Sequence, residues 1–106
     1  MVYINRLQNL KEGLTMRRSK LEMNLEILKI LASQGPGKLK QLMHRTDLSR
    51  SVLKQNLDFL IQQNLVEEQN LGKAEVFYVI TERGLKVLNV VAPIIEEVRK
   101  IPALLH

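Results

Sequence analysis

The stretch Leu48-Ser49-Arg50-Ser51-Val52-Leu53-Lys54-Gln55-Asn56-Leu57-Asp58-Phe59-Leu60-Ile61-Gln62-Gln63-Asn64-Leu65-Val66 decides how its neighbours are read. Leu53, Leu57, Leu60 and Ile61 recur at three- and four-residue steps, which commits one side of a helix to a core. Arg50, Ser51, Lys54 and Gln55 fall on the opposite side and offer cations and amides. Cations neutralise phosphates and amides pair with base edges, so this layout suits a helix lying against nucleic acid. Asn64 stands where the chain must turn out of the helix, and Asn tolerates the left-handed conformation better than any residue except Gly.

Working back from that helix, Asp47-Leu48-Ser49 forms the preceding turn, and either Asp47 or Ser49 can accept from the free amides that open the helix. A shorter helix over about 38–46 turns Leu39, Leu42 and Met43 inward. Gly35-Pro36-Gly37 stops the helix before it, since Gly accepts the left-handed cap and Pro cannot continue the hydrogen-bond ladder. That earlier helix opens at Ser19, with Glu22 at capping-box spacing, and carries the stripe Leu21, Leu25, Leu28, Ala32, widened by Ile27 and Leu31. Ile4, Leu7, Leu10 and Leu14 have the spacing of a further short helix, weakened by Gly13. Residues 1–16 are therefore read as an extension to a domain that begins near Arg17.

Working forward, 65–69 and 76–80 have strand composition and are joined through Gly72, which predicts an antiparallel hairpin with Lys73 near its tip. Thr81 then caps a final helix, with Glu82 in the first turn where the helix dipole favours negative charge. Leu88, Val91, Ile95, Val98 and Leu105 step by three, four, three and seven along it, close to a heptad seam. Pro93 removes an amide donor and crowds the Asn89 carbonyl, which predicts a kink or break, and Pro102 limits the far end. The apolar residues of this segment can fold back on the domain or pair with a second copy. Leu85, Val87, Leu88, Val90, Val91, Ile94 and Ile95 present more apolar surface than a small domain can cover, which favours a homodimer with its seam at Leu88, Val91, Ile95 and Val98.

The order of elements is α+β, mainly α: three helices, a β-hairpin wing and a long C-terminal helix. That is the winged helix-turn-helix arrangement, with 17–81 as the winged unit and 82–106 as the dimerisation helix of a single domain. A length of 106 residues fits one such domain, and 45% hydrophobic with 25% charged residues is ordinary for a globular chain. Two Phe, two Tyr and no Trp argue against binding that stacks bases on several rings. The absence of Cys excludes disulfides, thiolate metal sites and a Cys nucleophile. No apolar run approaches the roughly 20 residues that span a bilayer, and the expectation is a cytoplasmic, nucleoid-associated protein.

Net charge is +5, and its distribution is uneven. Between Arg17 and Lys54 nine Lys or Arg face three acids, whereas the rest of the chain holds seven bases against eight acids. The excess sits on the helical part, as a polyanion-binding face requires. Arg50 and Gln55 are the candidates for base contact, with Ser51 beside them and Ser49 and Lys54 on the phosphate backbone. Lys38, Lys40 and Lys73 are placed to touch flanking phosphates. Arg17, Arg18 and Lys20 serve either that purpose or solubility. His44 lacks a second His or a Cys to complete a metal site. Glu67-Glu68 and Glu96-Glu97 have no nucleophile or phosphate-cradling loop beside them, so neither an enzyme nor a cofactor is expected.

Several of these residues together resemble the small archaeal winged helix-turn-helix DNA-binding proteins, some of which dimerise through a long C-terminal helix. The resemblance covers about 25–88 and is carried by Leu48-Ser49, Leu53-Lys54, Leu57, Phe59-Leu60, Asn64-Leu65-Val66-Glu67, and Tyr78-Val79-Ile80-Thr81-Glu82-Arg83-Gly84 with Leu88. It implies double-stranded DNA binding by a homodimer, as a transcriptional regulator or chromatin-associated protein, with the helix at about 49–63 in the major groove. This chain departs from the family in having Asn64 where Gly is usual and Asn56 where an aromatic residue is common. The fold also serves as a protein-interaction module without DNA binding, and that is the alternative. A ligand pocket at a dimer interface is a third reading, but no polar cluster in the last helix marks one.

Overall fold

Ser19 opens the first helix by accepting from the Glu22 amide at 3.1 Å, and its hydroxyl donates to Glu22 Oε1 at 3.2 Å. Helix α1 then spans Lys20–Gln34 and ends at Gly35, whose amide still donates to the Leu31 carbonyl and whose φ of 80° turns the chain out of the helix. This is a computed structural model, and it describes residues 19–70, 72 and 75–100. The helix expected within 1–16, the wing residue Lys73 and the seam residue Leu105 lie outside them.

The GPG stop contains more than a turn. Gly37–Lys38 form a short strand, β1, so the expected two-stranded hairpin is a three-stranded antiparallel sheet of order β1-β3-β2. A two-residue strand has no periodicity to read. Helix α2, Leu39–Thr46, consequently starts one residue later than expected, with the extended Lys38 giving its amide to Gln41 Oε1 at 3.0 Å. Asp47 ends α2 in the left-handed conformation (φ 58°), and Ser49 caps α3, Arg50–Gln62, by accepting from Val52. The two candidate caps thus serve different helices.

Asn64 takes the left-handed conformation (φ 59°) expected of it, and the chain enters β2, Val66–Asn70. Strand β3, Val76–Ile80, pairs with β2 from Val66↔Ile80 to Asn70↔Val76, and with β1 at Gly37↔Tyr78 and Lys38↔Phe77. Helix α4, Glu82–Arg99, runs without a break through Pro93. No break occurs there, because proline removes one hydrogen bond without forbidding the helical φ.

Helix α1 is central and touches α2, α3, α4 and β3. Its Leu25, Ile27, Leu28 and Leu31 meet Leu42 of α2, Leu53, Leu57 and Leu60 of α3, and Leu65, Val66, Tyr78 and Leu88. Burying such side chains stabilises by about 1.5–3 kcal/mol each. Asn56 lies inside this core, 2% exposed, and donates to the Val52 carbonyl at 3.0 Å and toward Met23 Sδ at 3.9 Å. Asn56 is therefore a buried polar residue whose amide is satisfied within its own helix.

Within one copy the four seam positions of the last helix are not alike. Leu88 is a core residue of its own domain, and Val91 and Ile95 are half-buried against that core. Of the four seam positions only Val98 is exposed, and it shares the outward surface with Val90 and Ile94, at steps of four. Within one copy, then, Leu88 is taken up by the core, and the outward apolar surface of the helix is Val90, Ile94 and Val98.

Candidate nucleic-acid interface

The face under consideration is built at the amino end of α3. Because Ser49 caps the helix, Arg50 begins its first turn, and Lys54 follows one turn later on the same edge. Ser51 and Gln55 form the adjacent edge, also one turn apart. Ser49, Arg50, Ser51 and Gln55 are exposed and Lys54 is half-buried. Leu53 and Leu57, on the far side, are fully buried, which fixes the rotation of the helix and aims these side chains outward.

Arg50 and Lys54 line an open groove of about 640 Å³ together with Lys38, Leu39, Lys40, Met43, Glu75, Val76 and Tyr78. Four of the eight residues expected to meet nucleic acid, Lys38, Lys40, Arg50 and Lys54, are thereby brought together. Ser49, Ser51 and Gln55 are exposed but do not line the groove. Among the described residues, no carboxylate forms an ion pair with Lys40, Arg50 or Lys54.

Lys38 is different. Its ammonium lies 3.1 Å from Glu75 Oε2 and 5.4 Å from the centre of the Phe77 ring. Neither partner was singled out from sequence, because only the β1–β3 pairing places Phe77 opposite Lys38. Lys20 likewise stacks on a ring, 5.6 Å from the centre of Phe59. His44 is exposed, and no group of acidic or His side chains among the described residues could hold a metal ion. No described helix is long and apolar enough to cross a membrane.

The opposite end of α3 is fastened by backbone-directed contacts. Thr81 Oγ1 donates to the Asn64 carbonyl at 2.6 Å, the Thr81 amide donates to Leu65 O at 3.0 Å, and Arg83 Nε donates to Gln63 O at 3.1 Å. The Thr81 hydroxyl also accepts from the Gly84 amide at 2.9 Å, capping α4. Gly84 sits so close to this corner that an added Cβ would collide with the Leu65 carbonyl and lie 2.7 Å from Ile80 Cγ1. The Thr-Glu-x-Gly segment thus welds α4 to the α3–β2 turn, and through it sets the pitch of α3.

A capped helix presenting cations, a preceding short helix and an adjoining three-stranded wing are the features of one family. The winged helix-turn-helix family model matches residues 17–99, and the chain belongs to that family. No curated protein matches the sequence. Among solved structures, it is similar to AbsC, a MarR family transcriptional regulator from Streptomyces coelicolor (27% identity, TM-score 0.66, 93% of this chain and 71% of that one). It is also similar to a MarR family transcriptional regulator from Silicibacter pomeroyi (19% identity, TM-score 0.67, 92% and 66%). A third is BpsR of Bordetella bronchiseptica, whose DNA binding is regulated by 6-hydroxynicotinic acid (16% identity, TM-score 0.66, 74% and 61%). The chain spans less than two thirds of BpsR's length.

Proposed function

We propose that this chain binds double-stranded DNA as a homodimer and works as a transcriptional regulator or chromatin-associated protein, in the manner of small archaeal winged-helix proteins. The observation that carries the reading is the set Lys40, Arg50 and Lys54 around the capped end of α3, none of which is ion-paired with a carboxylate among the described residues. In this reading α3 lies in the major groove, Arg50 and Gln55 read base edges, and Ser49, Ser51, Lys54 and Lys40 meet the backbone. Lys73 reaches flanking phosphate from the wing tip. Residues 17–81 form the reading unit and 82–106 the dimerisation helix, with Val90, Ile94 and Val98 as its free apolar surface.

The test is duplex affinity across a salt series. A protein that neutralises several phosphates loses affinity with a log–log slope of about −0.9 per contact. Replacing both Arg50 and Lys54 by Ala should flatten the slope by about two such contacts and weaken binding at low salt by at least tenfold. Binding that ignores salt, or that survives the double replacement unchanged, overturns the reading. One observation favours a second reading, a protein-interaction module: the apolar surface of Val90, Ile94 and Val98, which a different protein could cover as well as a second copy. A monodisperse monomer with no affinity for heparin would select it.

A further inference from the structure

Glu75 is the single carboxylate among the described residues lining the groove, where it faces Lys38, Lys40, Arg50 and Lys54. Its position follows from the sheet register. Lys38 pairs directly with Phe77, and Glu75 lies just before the strand that carries Phe77, within reach of the Lys38 ammonium. There the ammonium rests over the ring and 3.1 Å from the carboxylate. Both side chains of the pair remain substantially exposed, 41% for Lys38 and 55% for Glu75, so solvent screens the pair and it adds little to stability.

Building on the DNA-binding reading above, we propose that Glu75 sets an edge of the DNA footprint by neutralising Lys38, which removes Lys38 from the phosphate contacts and keeps the duplex off the root of the wing. The physical reason is local charge, not strength of bonding. A phosphate approaching the Lys38 ammonium also approaches the Glu75 carboxylate, so the attraction of one is offset by repulsion from the other. Phe77 reinforces this by occupying one face of the ammonium. The groove is consequently bipolar, cationic along α2 and α3 and neutral at the root of the wing, and a duplex docks tilted toward the helices.

The experiment measures affinity of the full chain for a mixed-sequence duplex across a salt series in four forms: wild type, Glu75→Gln, Lys38→Ala and the double variant. Glu75→Gln retains the side-chain shape and frees the Lys38 charge. It should steepen the log–log salt slope by about 0.9 and tighten binding roughly eightfold at about 0.1 M salt, the gain of one phosphate contact. Lys38→Ala alone should change affinity less than twofold, yet abolish the whole gain when combined with Glu75→Gln. Equal thermal midpoints for the four forms will show that the effect is not one of folding. The proposal falls if Glu75→Gln leaves slope and affinity unchanged, or if Lys38→Ala alone flattens the slope by about 0.9. Salt-independent behaviour of the wild type defeats the DNA-binding reading itself, and so is distinguishable from a failure confined to Glu75.

Discussion

The two halves of α4 have similar apolar content and different degrees of constraint. In the first half, Thr81, Arg83 and Gly84 are tied to the carbonyls or backbone of 63–65, and Leu88 is buried in the core. In the second half, Ile94 and Val98 are 56% and 41% exposed, and Val91, Ala92 and Ile95 touch the core from one side only. The first half is therefore specified by directional contacts that admit one arrangement, whereas the second is specified on one side only. A helix of 18 residues, about 27 Å long, thus joins a rigid end that orients α3 to an end whose outer surface is free.

The severest way to break the specified half is Gly84→Ala. In an exposed helix interior Ala is favoured over Gly by about 1 kcal/mol, so propensity alone predicts a gain. Packing predicts the reverse, because the new methyl meets the Leu65 carbonyl, a backbone atom that cannot rotate away. A loss of about 3 kcal/mol in urea unfolding is expected. A neutral or stabilising result would mean that the corner is loose and that the two halves of α4 do not differ as described.

Thr81→Val is the next largest perturbation, since it keeps the β-branched shape but removes the cap to Gly84 and the donor to Asn64. About 2 kcal/mol should be lost, with Thr81→Ser retaining most of it. If Val and Ser behave alike, the hydroxyl is not what joins α4 to the turn.

Most of the architecture could be read from residues with a single physical use. Ser19, Ser49 and Thr81 sit at helix starts because their hydroxyls accept orphan amides, and Asn64 sits at a left-handed position that a β-branched residue could not occupy. The cationic edge of α3 was legible because Leu53, Leu57 and Leu60 fix the opposite side. Strand β1 was not, since two residues carry no period, and with it went the neighbours of Lys38. Asp47 was read as a possible cap of α3 and instead closes α2, because a left-handed Asp and a capping Asp look alike in sequence. The seam was only partly legible, for a geometric reason. Leu88, Val91 and Ile95 satisfy heptad spacing whether they face a second copy or their own domain, and spacing does not say which.

The smallest expected effect on stability comes from the unconstrained half, and it carries the most information about assembly. Ile94 has lost less than half of its surface, so Ile94→Gln should change the stability of an isolated monomer by no more than about 0.5 kcal/mol. If a second copy covers Val90, Ile94 and Val98, the same substitution places an unpartnered amide at the centre of an apolar contact, where the desolvation cost is about 1–3 kcal/mol per copy. Two symmetric copies double that cost, enough to shift a dimer with micromolar affinity to monomer at working concentrations. Light scattering should therefore show the mass falling by half while the far-ultraviolet spectrum is unchanged. A wild-type protein that is already monomeric, or a dimer indifferent to Ile94→Gln, would place the interface elsewhere and leave the outer stripe of α4 as ordinary solvated surface.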